Sequence, residues 1–156
     1  MGFIRNWLTK RPESEKPKTQ SHLSMKLQNE NRILIDCIKI INTSVDVGTV
    51  VGRYNLLIDT LMRLSQYEGH PSVSFEAGEL PSKAHARMKE EKSTIMISAI
   101  QRAYDDMIKK SSLLKTDTGK SNRRTRFFDK LMEQSVDYPD EFTPEVITFI
   151  GDLMDN

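Results

Sequence analysis

Gly119-Lys120-Ser121 reproduces the last three positions of a phosphate-binding loop, in which backbone N–H groups cradle phosphates and the lysine reaches the terminal one. The full pattern needs a glycine at position 114 and a strand before it. Leu114 stands there after a helix-periodic segment, so the triplet reads as a glycine turn between helices. The histidines His22, His70 and His85 fall in a linker, a loop and a polar helix start. None has a second His, Cys or carboxylate at ligand spacing on its own element. Zinc and iron sites need three or four converging ligands, so no metal is inferred. Cys37 lies on an apolar helical stripe, where a thiol acts as a small hydrophobe. As the single cysteine it excludes an internal disulfide and fits a reducing compartment. Asp105-Asp106 and Glu90-Glu91 are chain neighbours that point about 100° apart on a helix, so neither is a carboxylate dyad. No serine elbow, zinc-protease helix, dinucleotide glycine pattern or EF-hand loop occurs. The expectation is a non-enzymatic chain with no cofactor and no small-molecule substrate.

Charge is more informative than motif. The 156 residues hold 23 Lys+Arg and 22 Asp+Glu, a formal net charge of +1, which excludes a histone-like protein and an acidic solvating tail. That sum conceals local extremes. Residues 109–126 carry seven bases (Lys109, Lys110, Lys115, Lys120, Arg123, Arg124, Arg126) against Asp117, giving +6. Residues 133–156 carry seven acids and no base, giving −7, and residues 1–26 carry six bases and two acids, giving +4. Lys115, Lys120, Arg123, Arg124 and Arg126 are therefore candidate contacts for a phosphate backbone, the basis of a second reading as a nucleic-acid-associated regulator. Against that reading, the two last helices have a helix-turn-helix outline, but the second carries only acids, which a DNA groove would repel. The alternative use of the basic segment is to meet the acidic one.

Phe3, Ile4, Trp7 and Leu8 stand at i, i+1, i+4 and i+5 among Arg5, Lys10 and Arg11, a short amphipathic arm. Asn6 occupies the position where the myristoylation pattern needs Ser or Thr, and two or three turns bind a membrane weakly. The four apolar residues are thus candidates for docking on the chain's own core, on a second copy or in a partner's groove. No stable membrane insertion is expected, since no apolar run approaches the roughly 18 to 20 residues that span a bilayer. Cytoplasmic location is the corresponding expectation.

These features need elements to hold them. Pro12 to Ser21 has two prolines and no large apolar residue, and reads as a flexible linker, giving an arm at 1–22 and a helical domain at 23–156. Leu27, Leu34, Ile38 and Ile41 predict a helix over about 24–43, and Val47, Val50, Val51, Tyr54, Leu57, Ile58, Leu61 and Leu64 a second one to about Tyr67. The short connection, with Asp46 or Thr49 as cap, makes them an antiparallel hairpin. Residues 68–80 read as a loop with Phe75 pinned to the core, and an extended stretch at 73–75 is a further option. Pro81 opens one long helix to about 112, whose polar first half, 82–93, is expected to project. Residues 115–121 read as a loop, and 122–134 as a helix. Thr143-Pro144-Glu145 starts a last helix with Val146, Ile150, Leu153 and Met154 inward and Phe142 stapled on Ile147. The predicted fold is all-α: a hairpin, one long helix and two short C-terminal helices in an irregular bundle.

Ile41-Asn42-Thr43-Ser44 followed by Arg53-Tyr54-Asn55-Leu56-Leu57, with Leu114-Lys115-Thr116 and Gly119-Lys120 further on, resembles a helical module of Gram-positive bacteria and their mobile elements, over residues 24–130. The resemblance implies a bacterial or phage cytoplasm and brings no activity or catalytic residue. With amphipathic helices and eight methionines, whose flexible side chains repack readily, the chain reads as a protein–protein interaction or adaptor module, self-association included.

Overall fold

Leu27, Leu34, Cys37 and Ile41 form the buried stripe of α1, a helix spanning Gly2–Thr43. The computed structural model describes residues 2–73 and 78–156, with side chains from His22 onward. The helix runs through residues 12–21, where the sequence predicts a linker. A proline inside a helix loses one N–H and crowds the carbonyl four residues back. Glu13, Glu15, Lys16 and Lys18 around Pro12 and Pro17 are good helix formers, and the backbone continues. The 22/23 division therefore coincides with no element boundary. The side chains of Phe3, Ile4, Trp7 and Leu8 lie outside the described residues.

Ser44 to Asp46 reverse the chain into α2, Val47–Leu64. Asp46 caps it: its Oδ2 accepts from the Thr49 backbone N–H at 3.1 Å and from Thr49 Oγ1 at 2.6 Å. The hairpin is antiparallel, since Arg63 near the end of α2 pairs with Glu30 of α1 at 3.2 Å. Val50, Val51, Tyr54, Leu57, Leu61 and Leu64 face the core as the periodicity predicts. A 3-10 turn, Ser65–Tyr67, follows. Beyond it, the Asn31 side-chain amide donates to the Ser72 carbonyl and ties the loop to α1. Phe75 lies outside the described residues.

The predicted long helix is two, α3 (Pro81–Glu90) and α4 (Lys92–Ser111). Glu91 between them sits at φ −85°, ψ 3°, outside the helical region. Residues 82–93 do not project, because Pro81, Ala84 and Met88 are buried. The Tyr54 hydroxyl donates to the Met88 carbonyl at 3.1 Å, satisfying one of the last acceptors of α3 beside the interruption. The start of α3 is also served from a distance: Glu68 Oε1 accepts from the Ser82 N–H at 2.7 Å.

Helix α5 spans Asp117–Asp137, so the expected loop at 115–121 is mostly its first turn, and it is not short. Thr116 is the cap, its Oγ1 accepting from the Gly119 N–H at 3.0 Å. Gly119 fits because a Cβ there would come within 2.9 Å of that oxygen. Helix α6, Pro144–Asp155, starts as predicted, with Thr143 Oγ1 accepting from the Val146 N–H at 3.4 Å. Phe142 is buried in the core, and Ile147 is 39% exposed. Met154 is half-exposed, not inward. Among the described residues the fold is six α-helices with no strand, an irregular all-α bundle around one apolar core.

Candidate interaction surface

Arg124 is set apart from the rest of the basic segment. Lys115 stands exposed in the α4–α5 turn, and Lys120 and Arg126 are exposed on α5. At 100° per residue, Arg126 points about 160° away from Arg124. Arg124 turns inward: one Nη donates to the Tyr104 hydroxyl at 3.0 Å, the other to the Leu153 and Met154 carbonyls at 2.9 and 3.1 Å. Its guanidinium lies 5.1 Å from the Phe128 ring centroid and 5.8 Å from that of Tyr104. A planar fork that bonds and stacks at once is what arginine supplies and lysine cannot.

The physical reason is at the end of α6. Its last turn has no base, and Asp152 and Asp155 add negative charge to the negative pole of the helix. Arg124 brings a positive charge onto the carbonyls at that pole. The basic and acidic segments thus do meet, through a guanidinium on helix-end carbonyls rather than through carboxylate pairs. The same device recurs at α1, which also ends without a base: Arg102 on α4 donates to the Ser44 carbonyl at 3.3 Å and to that of Ile41. Lys130 on α5 holds Asp46 Oδ1 of the same turn at 3.2 Å.

Beside Arg124, α4 and α5 enclose an open groove of about 390 Å³. Met107 and Ile108 supply an apolar floor, Ser111, Ser112 and Ser121 hydroxyls border it, and Lys120 and Arg124 give it positive charge. Ile108 is 44% exposed. Lys120 has no ion-pair partner among the described residues. Two other hollows are far smaller, about 60 Å³ behind the α1–α2 turn and about 90 Å³ between Glu30 and Tyr67. Lys120 and Arg124 were legible as charges; the apolar floor was missed, because Ile108 reads as one more core position of its helix.

The remaining chemistry-bearing residues stay apart. His22 is exposed on α1, His70 Nδ1 accepts from the Ser72 N–H at 3.0 Å, and His85 lies on α3. Among the described residues no three His, Cys, Asp or Glu side chains gather where they could hold a metal ion. Cys37 is fully buried, and burial raises its thiol pKa against the lowering influence of Arg53. Gly119-Lys120-Ser121 sits within the first two turns of α5. Among the described residues no helix is long and apolar enough to cross a membrane. No protein-family model, no curated protein and no solved structure matches the chain.

Proposed function

We propose that the chain is a non-enzymatic protein–protein interaction module whose α4–α5 groove receives a partner. The supporting observation is the groove itself, an apolar floor left open to solvent with a cation at its lip. Apolar surface in a concavity releases water when a side chain fills it, worth about 25 cal/mol per Å² buried, while charge at the rim selects the partner and speeds encounter. The nucleic-acid reading draws less support: Arg124, in the middle of the basic run, is engaged within the fold. A bacterial or phage cytoplasm belongs to the same proposal, resting on the lone buried thiol and on the sequence resemblance.

Ile108→Arg tests it, since a half-exposed position accepts a long cation that fills the groove. Native lysate is passed over wild type and over the variant, with a third bait lacking residues 1–21 to separate the arm from the groove. Proteins retained by wild type and lost by Ile108→Arg support the reading. Identical retained sets overturn it.

A further inference from the structure

We propose that the occupant of the α4–α5 groove is α6 of a second copy of this chain, in a two-fold dimer. This rests on reading the groove as a docking surface and names what docks.

Helix α6 presents an outward face with the complementary character. Ile147, Gly151 and Met154 stand at i, i+4 and i+7, with Ile147 39% and Met154 50% exposed. Thr148, Asp152 and Asp155 are exposed beside them. A Cβ on Gly151 would meet nothing within 4 Å, so another helix can approach the backbone there. The face is an apolar stripe edged with carboxylates; the groove is an apolar floor edged with Lys120, beside an Arg124 whose Nη atoms are held by Tyr104 and the chain's own α6 end. The segments that carry them are the two charge extremes of the chain, −7 over 133–156 and +6 over 109–126. The chain's own basic arm, +4 over residues 1–26, would instead meet like charge in the groove.

Symmetry favours closure. Arg124 lines the groove and also binds the end of α6, so donor face and acceptor groove are neighbours on one molecule. When two complementary patches adjoin, a two-fold axis near their boundary satisfies both at once, each copy giving its α6 and receiving the other's. Because the rim pairs are solvent-exposed, they set register while the apolar stripe supplies most of the affinity.

Sedimentation velocity on the full chain over a wide concentration range measures the dimer constant. A dimer that weakens at high salt, where the Debye length falls to about 3 Å at 1 M, is expected. Lys120→Glu alone, and the pair Asp152→Lys with Asp155→Lys alone, should each raise the dissociation constant about tenfold, roughly 1.4 kcal/mol. An equimolar mixture of the two reversed proteins should recover association, because both contacts of the heterodimer then join opposite charges. Gly151→Arg should weaken the dimer at least as much without lowering thermal stability, since the position opens onto empty space. A chain that stays monomeric throughout overturns the inference, as does a dimer indifferent to all these changes. Monomeric protein that still loses partners on Ile108→Arg fails this inference alone. Indifference of both self-association and partners to Ile108→Arg fails the reading beneath it as well.

Discussion

Arg124 on α5 holds the Leu153 carbonyl of α6 at 2.9 Å, across 29 positions of sequence. Through this contact and its neighbour to Met154, the most basic stretch of the chain is joined to the most acidic one. The guanidinium also lies over Phe128 and Tyr104, and Phe128 packs edge to face against Phe127. Hydrogen bonds to a charged donor contribute about 1.5–3 kcal/mol each when one partner is removed. Arg124→Met is therefore expected to lower unfolding stability by about 2 kcal/mol in urea titrations. Arg124→Lys should recover only part of that, because an ammonium lacks the fork. Arg126→Ala, at an exposed position, should stay within about 0.5 kcal/mol. Equal losses at 124 and 126 would contradict the inward role of Arg124.

Tyr54 does for α3 what Arg124 does for α6. Its hydroxyl meets the Met88 carbonyl, and burial, aided by the negative charge of Glu141, pushes the phenol pKa up to about 12. Tyr54→Phe is expected to cost about 1 kcal/mol, the net worth of one buried hydrogen bond. The pH dependence has a definite sign. A folded-state value above the unfolded value of about 10 favours the protonated form, so this contribution is complete below pH 10 and is lost as pH rises toward 12. Chemical denaturation at pH 9 and pH 11.5 should show a smaller alkaline loss in Tyr54→Phe than in wild type.

Asp46 works at the opposite end of the scale. Hydrogen bonding from Thr49, then the contact with Lys130, holds its carboxyl below the ordinary range despite partial burial. A depressed folded value contributes stability that is present above about pH 4 and lost as pH falls through the folded pKa. Asp46→Ala should cost about 1 kcal/mol at neutral pH through loss of the helix cap. Asp46→Asn keeps a capping oxygen without the titration, so its stability should fall less than that of wild type between pH 5 and pH 2.

What was readable beforehand and what was not divide along the reach of each interaction. Asp46 and Thr143 cap helices within three residues of themselves, and the stripe from Val47 to Leu64 obeys one periodicity, so local rules find them. Gly119 reads in sequence as a breaker and hides the start of α5. The better signal is Thr116 three residues before it, a cap whose geometry requires the missing Cβ. The interruption at Glu91 has no proline or glycine to announce it; it appears where the Met88 carbonyl accepts from Tyr54, 34 residues away. Arg124 reads in sequence as a candidate phosphate contact because its partner Leu153 lies 29 positions distant. Of the groove, the charged rim was visible and the floor was not. Met107 and Ile108 share the periodicity of the core, and only the placement of α5 decides that Ile108 is left open.

Two glycines in helices should respond to alanine with opposite signs. At Gly151, in the middle of α6, the new Cβ meets nothing within 4 Å, so Ala gains helix propensity without a clash. That gain is about 1 kcal/mol, a rise in Tm of about 2–4 °C for a chain of this size. At Gly119 the Cβ would lie 2.9 Å from Thr116 Oγ1. The hydroxyl must rotate away, and the cap it abandons is worth about 1 kcal/mol. Propensity recovers less than this in the first turn, where the backbone N–H groups have no intrahelical acceptor to protect. Gly119→Ala is thus expected to melt below wild type and Gly151→Ala above it, as read by thermal circular dichroism at a dilution low enough to keep the chain monomeric. A higher Tm for Gly119→Ala would mean that Thr116 does not cap α5 in solution.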